Sequence, residues 1–162
     1  MTDTVILNGQ DIGQAQRATS AILGVVLAEH GTTFERWVVL NALATRAFPP
    51  ERSKLVPGLA GALATGPAAV EAMLDQAEAA GLVRIVSARG VVPGAVRVEL
   101  TAAGRAQHGM LRSDIDHMTE ELYSGIPEAD LAAAHRVLAE VSWRADGWMK
   151  LWVAIRPAEP AR

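Results

Sequence analysis

The chain has 162 residues, half of them hydrophobic, a formal net charge of −3 and no cysteine. That length fits one domain with a core of its own; disulfides and thiolate metal sites are excluded, and any nucleic-acid contact needs a local basic face, because the overall charge gives no pull toward a polyanion. The missing cysteine fits a reducing cytoplasm, the opening MTDTVILNGQ lacks the basic start and long apolar run of a signal peptide, and no apolar stretch reaches the roughly 20 residues that span a bilayer, so neither a membrane nor a metal or organic cofactor is expected.

Residues 1–10 read as a loose leader. From Asp11 to His30 the residues Ile12, Ala15, Ala18, Ile22 and Val26 recur every three or four positions, which predicts an amphipathic helix ended by Gly31. Thr32 and Thr33 offer an N-cap for a second helix through Trp37, Val38, Leu40, Leu43 and Ala44 to about Ala47, and Phe48-Pro49-Pro50 ends it. A short helix from Val56 to Ala64 follows, with Pro57 near its first turn. Thr65-Gly66-Pro67 breaks it, and Pro67 opens the next helix, with Val70, Met73, Leu74 and Ala77 on one face and a stop at Gly81. Two short helices joined by a tight glycine-containing turn outline a helix-turn-helix.

Leu82–Ala88 is rich in β-branched residues, Gly90–Gly94 holds turn residues, and Ala95–Thr101 alternates, with Val96, Val98 and Leu100 inward and Arg97 and Glu99 outward. This predicts a hairpin, or wing, directly after the helix-turn-helix. A long helix from Thr101 carries the stripe Leu111, Ile115, Met118 and Leu122 until Ser124–Pro127 breaks it. The last helix runs from Pro127 to about Ile155. Its Leu131, Ala134, Leu138, Val141, Ala145, Trp148 and Trp152 lie alternately three and four apart, a seam that calls for a partner helix; Leu131, Leu138, Val141, Trp148 and Trp152 are the dimer candidates, and Trp143 sits off the seam. The ending RPAEPAR is expected to be disordered. The expected organisation is a single mainly α domain over 11–155, with a helix-turn-helix and two-stranded β-wing at about 33–101 and dimerisation helices at about 11–30 and 101–155.

This order of elements resembles the MarR family of winged-helix regulators over roughly residues 11–155. The stretches that carry the resemblance are LAGALATGPAAVEAMLDQAEAAGLV (Leu59–Val83), with its L-x-x-x-G-L-V ending, VELTAAGRAQ (Val98–Gln107), with L-T-x-x-G, and Thr33–Leu43 around Trp37. The resemblance implies a homodimer whose first and last two helices interlock. It implies a recognition helix at Pro67–Ala80, presenting Pro67, Ala69, Glu71, Ala72, Asp75 and Gln76 to double-stranded DNA. It implies a wing at about Ala88–Ala95, with Arg84, Arg89 and Arg97 nearby. It also implies a pocket between the first, second and fifth helices for a small apolar or aromatic ligand, with Arg17, His30, Arg36, Trp37, His108 and Arg112 as candidate lining.

The residues depart from that pattern where DNA would be read. No Lys or Arg occurs from Leu55 through Val83, and the recognition helix carries Glu71, Asp75 and Glu78. Carboxylates repel a phosphate wall, and each missing phosphate contact forfeits counterion release. The tip SARGVVPGAV lacks an Asp-x-Arg. Two readings therefore stand side by side. One is a ligand-responsive transcriptional regulator. The other is a relative that has given up DNA and binds or transforms an apolar or aromatic molecule without a cofactor. For the second, His108, His117 and Asp114 are the candidate acid–base groups, Asp114 and His117 being neighbours on one helix face; such rows are more often solvated helix surface. The four histidines show no helical zinc spacing, and there is no phosphate loop and no G-x-S-x-G elbow.

Overall fold

A computed structural model describes residues 6–87 and 96–155. The chain divides into two units, Met1–Met118 and Thr119–Arg162. The described elements are α1 (Gly9–Glu29), α2 (Phe34–Ala44), α3 (Arg52–Ala62), α4 (Pro67–Ala79), β1 (Val83–Ser87), β2 (Val96–Leu100), α5 (Ala102–Tyr123) and α6 (Glu128–Ile155). This is a mainly helical winged helix-turn-helix. The wing tip, with Arg89, and the ending RPAEPAR lie outside the described residues.

α1 starts at Gly9, two residues ahead of the expected boundary, because Asn8 and Asp11 form a reciprocal cap. Asn8 Oδ1 accepts from Gln10 N at 2.8 Å and Asp11 N at 3.3 Å, and Asp11 Oδ2 accepts from Asn8 N at 3.1 Å. Gly31 follows the cap residue His30 in the left-handed region, at φ +59. Thr33 caps α2 as expected, its Oγ1 accepting from Arg36 N at 3.3 Å.

α3 differs more from the sequence reading. It starts at Arg52, so Pro57 lies inside the helix instead of in its first turn. The turn that follows is made by Ala64, at φ 48, while Thr65 N donates to Ala60 O at 3.0 Å. This is the helix-ending arrangement in which glycine is usual. Gly66 instead has φ −78 and serves as the extended N-cap of α4, with Pro67 in the first turn. α3 and α4 meet at a bend of 114°, within the range for a helix-turn-helix.

β1 and β2 pair antiparallel, Val83 opposite Leu100 and Ser87 opposite Val96. Val98 and Leu100 point inward as the alternation predicts, whereas Val96 is exposed. The other edge of β2 is strapped by the segment ahead of α3. Val98 N donates to Pro50 O at 3.1 Å, Glu51 bridges to Arg97, and Arg97 Nη1 donates to Pro49 O at 2.9 Å. The core of this first unit joins Leu27, Val39, Leu40, Leu55, Val70, Leu74, Val98 and Leu111, all essentially inaccessible to solvent. Each such side chain contributes roughly 1.5–3 kcal/mol of transfer free energy.

In the second unit, Gly125 at φ +76 makes the turn before α6. The 28 residues of α6 span about 42 Å at the helical rise. Leu138, Val141, Trp143, Trp148, Met149, Leu151 and Trp152 are all exposed on it.

Candidate nucleic-acid interface and interhelical clefts

The helix-turn-helix positions the recognition helix by burying one stripe. Val70, Leu74 and Ala77 of α4 enter the core, which turns Ala72, Asp75 and Gln76 outward together with Pro67; Ala69 and Glu71 sit half-buried at the border. Of these, Gln76 has a side chain able to pair with a base edge, its amide matching adenine.

The carboxylates of α4 are not bare. Arg52, in the first turn of α3, reaches across the turn to Glu71 and Asp75. Its Nη2 stands 2.5 Å from Glu71 Oε2 and 2.7 Å from Asp75 Oδ1, and its Nε donates to Glu71 Oε2 at 2.7 Å. The Arg52 side chain is 21% exposed, against 65% for that of Asp75, so it lies between the two acids as an inner plug. The bond to Asp75 is the leading reason that the Arg52 pKa is raised. The third acid, Glu78, accepts from the main-chain N–H of Ile85 on β1 at 3.3 Å. The expectation of three uncompensated carboxylates on the groove-facing helix is thus corrected. Two share a cation supplied from outside the window Leu55–Val83, and the third is bound to the wing strand.

Of the wing arginines among the described residues, Arg84 pairs with Glu99 across the hairpin, and Arg97 donates to the Pro49 carbonyl. Lys54, beside Arg52 on α3, is highly exposed and lies 3.3 Å from Glu51.

The residues expected around a pocket fall into separate arrangements. Trp37 on α2 is buried, and the His108 ring of α5 stacks on it at 5.3 Å between centroids with an 8° tilt. His108 Nε2 lies 3.2 Å from Asn41 Oδ1; an amide oxygen only accepts, so Nε2 carries the proton. Burial lowers the His108 pKa, and nearby Arg112 adds to the effect. Arg112 itself forms a two-pronged pair with Asp116, at 2.9 and 2.8 Å. His30, at the end of α1, meets Asp114 of α5 at 2.6 Å. Asp114 therefore faces His30, while His117 is exposed. Arg17 is exposed and Arg36 half-buried. Sequence reasoning missed Arg52, Asn41 and Asp116. The first acts only through a tertiary contact, whereas Asp116 stands at an i, i+4 spacing from Arg112 that sequence alone could have flagged.

Two clefts open in the first unit. One, of about 400 Å³, lies between α1 and the start of α2, against Gln16, Ser20, Leu23, Leu27, Thr32 and Phe34. Among the described residues, no charged side chain lines it. Thr32 Oγ1 is buried there without a hydrogen-bond partner among the described residues. The other, of about 410 Å³, lies between the end of α2, the strap, β2 and the first turns of α5.

No family model matches the chain, and no curated protein matches it. Solved structures do match. A transcriptional regulator, PA3341, is 24% identical with a TM-score of 0.72, over 86% of this chain and 98% of that one. The MarR family transcription regulator SP03579 is 20% identical with a TM-score of 0.73, over 87% and 89%. NadR in complex with 4-hydroxyphenylacetate is 18% identical with a TM-score of 0.65, over 87% and 96%. The chain has the MarR-like winged-helix fold.

Proposed function

We propose that this chain is a ligand-responsive transcriptional regulator that binds duplex DNA as a homodimer. The observation that carries the reading is the Arg52 plug between Glu71 and Asp75. It weakens the electrostatic objection raised by the recognition helix, because a cation placed among carboxylates cancels part of their repulsion toward phosphate. The acid–base alternative loses its best geometry, since Asp114 is directed at His30 and not at His117.

Dimerisation is supported by α6. Leu138, Val141, Trp148 and Trp152 repeat at the spacing of a helical seam and are all exposed in the single chain, and large apolar rows of that kind belong against a partner. The uncharged α1–α2 cleft suits a small apolar or aromatic effector. Its buried Thr32 hydroxyl supplies a polar group that a ligand can satisfy. NadR, of the same fold, holds 4-hydroxyphenylacetate, a molecule on the scale of this cleft.

The test is fluorescence anisotropy with a labelled random-sequence duplex across a salt series. A regulator gives a negative log–log slope of affinity on salt. Absence of binding at the lowest salt overturns the reading.

A further inference from the structure

The three acids of the recognition helix are not equivalent. Glu78 is bound to the main chain of β1. Glu71 sits at the border of the buried stripe and takes two of the Arg52 contacts on one oxygen, Oε2. Asp75 is the open one, its side chain 65% exposed against 43% for Glu71. At 3.6 residues per turn, Ala68, Ala72 and Ala79 stand opposite the buried Val70, Leu74 and Ala77, and Asp75 lies beside all three exposed alanines. With alanines around it, no longer side chain from those positions stands between the short Asp75 carboxylate and a surface that the helix meets. The two oxygens of Asp75 are used differently. Oδ1 accepts from Arg52 Nη2 at 2.7 Å, whereas Oδ2 accepts from none of the described residues. The carboxylate is oriented on its inner side and open on its outer side.

We infer that Asp75 reads a cytosine in the major groove, with Arg52 as its positioning residue. The inference rests on the duplex-binding reading above and names the base that this acid selects. An ionised carboxylate only accepts hydrogen bonds. In the major groove guanine presents the acceptors N7 and O6, thymine presents O4, and adenine sets N7 beside its amino group, whereas cytosine presents its N4 amino donor with no acceptor of its own. A carboxylate is therefore repelled wholly or in part by three bases and matched by the fourth. Arg52 makes the contact tolerable in two ways. It offsets the charge that Asp75 brings toward the phosphates, and it holds the carboxylate in place, so that less freedom is lost on contact. The same acid that weakens binding to arbitrary duplex sharpens the choice among sites, since selectivity is a difference of affinities and grows when wrong partners are penalised.

The experiment is selection by the full chain from a pool of randomised duplexes at low salt, followed by sequencing, for the wild type and for Asp75→Ala, a change at an exposed position among alanines. The wild type is expected to enrich an inverted repeat with one fixed cytosine in each half, and Asp75→Ala is expected to lose the preference at that position alone. The contact itself is read with the selected duplex carrying N4-methylcytosine at the fixed position, where the methyl group takes the place of the N–H that faces the major groove. The modified base is expected to weaken wild-type binding about fivefold or more and to leave Asp75→Ala unaffected. Selected sites without a fixed cytosine, a cytosine that persists in Asp75→Ala, or equal wild-type affinity for cytosine and N4-methylcytosine overturn this inference and leave the regulator reading standing. Recovery of no duplex at all overturns both.

Discussion

Gly104 on α5 lies directly against the main chain of Leu82, so that a Cβ at position 104 would overlap the Leu82 carbonyl oxygen and stand 2.9 Å from its carbon. The same corner is tied by Thr101. Its N–H donates to Leu82 O at 3.0 Å, its hydroxyl donates to Gly81 O at 2.7 Å, and its Oγ1 caps Gly104 N at 3.0 Å. The L-T-x-x-G motif thus has a physical meaning here. Threonine starts the long helix and bonds it to the corner between α4 and β1, and glycine lets the helix approach main chain to main chain.

Gly104→Ala is accordingly expected to destabilise the fold by about 3 kcal/mol, since the neighbour that must move is backbone and not a flexible side-chain tip. For a chain of this size that lowers the melting temperature by about 10 °C. Thermal unfolding followed by circular dichroism checks it, and a variant that melts with the wild type contradicts the clash.

The Arg52 plug makes opposite predictions for its two sides. Arg52→Gln leaves Glu71 and Asp75 uncovered and is expected to weaken duplex binding about tenfold at low salt. Glu71→Gln with Asp75→Asn removes both charges and is expected to tighten binding severalfold. In that neutralised background Arg52→Gln is expected to cost less than in the wild type, because the charges it offsets are gone. Anisotropy on the four proteins reads the cycle. Equal costs of Arg52→Gln in both backgrounds show that the arginine acts on DNA independently of the acids.

How much of this was legible in the sequence depends on the range of the interaction. Thr33 as a cap, Pro67 as a helix start and the Val98/Leu100 alternation are local patterns, and the structure follows them. The start of α1 was misplaced because the Asn8–Asp11 box lies in a stretch without apolar periodicity, although the capping pair was there to be read. At α3, Pro57 reads as a first-turn residue, whereas the helix opens at Arg52, directly after Glu51, which bridges to Arg97, a contact far apart in the chain. The Arg52 pairings span 19 and 23 residues, and the His30–Asp114 contact spans 84. No spacing rule reaches that far, so the charge of the recognition helix was read without its counter-ion.

His108 gives the pH prediction. Burial, and then Arg112, lower its pKa from the ordinary 6.5. At a pH above that value both folded and unfolded chains hold the ring neutral, and its full contribution to stability is present. As pH falls below it, the unfolded chain takes up the proton first and this contribution is progressively lost, until the folded-state pKa is passed. Unfolding in urea is therefore expected to show a loss of stability between neutral and mildly acidic pH that His108→Gln, which keeps an amide near Asn41, largely lacks. A variant with the same pH dependence as the wild type places the titration elsewhere.

The seam on α6 yields the prediction that bears most on assembly. Trp152 and Trp148 stand four residues apart on one face and are 52% and 68% exposed in the single chain. Tryptophan is too large and apolar to be left uncovered at such density, and burying an aromatic side chain is worth roughly 1.5–3 kcal/mol. A homodimer that closes over this face buries each tryptophan twice, once from each protomer, so one substitution removes two contacts. Trp152→Ala is expected to raise the dimer dissociation constant by about a hundredfold or more. Trp143→Ala, off the seam, is expected to change it little. Sedimentation equilibrium over a concentration series distinguishes the two variants. Equal dissociation constants for Trp152→Ala and the wild type place the dimer contact on another surface.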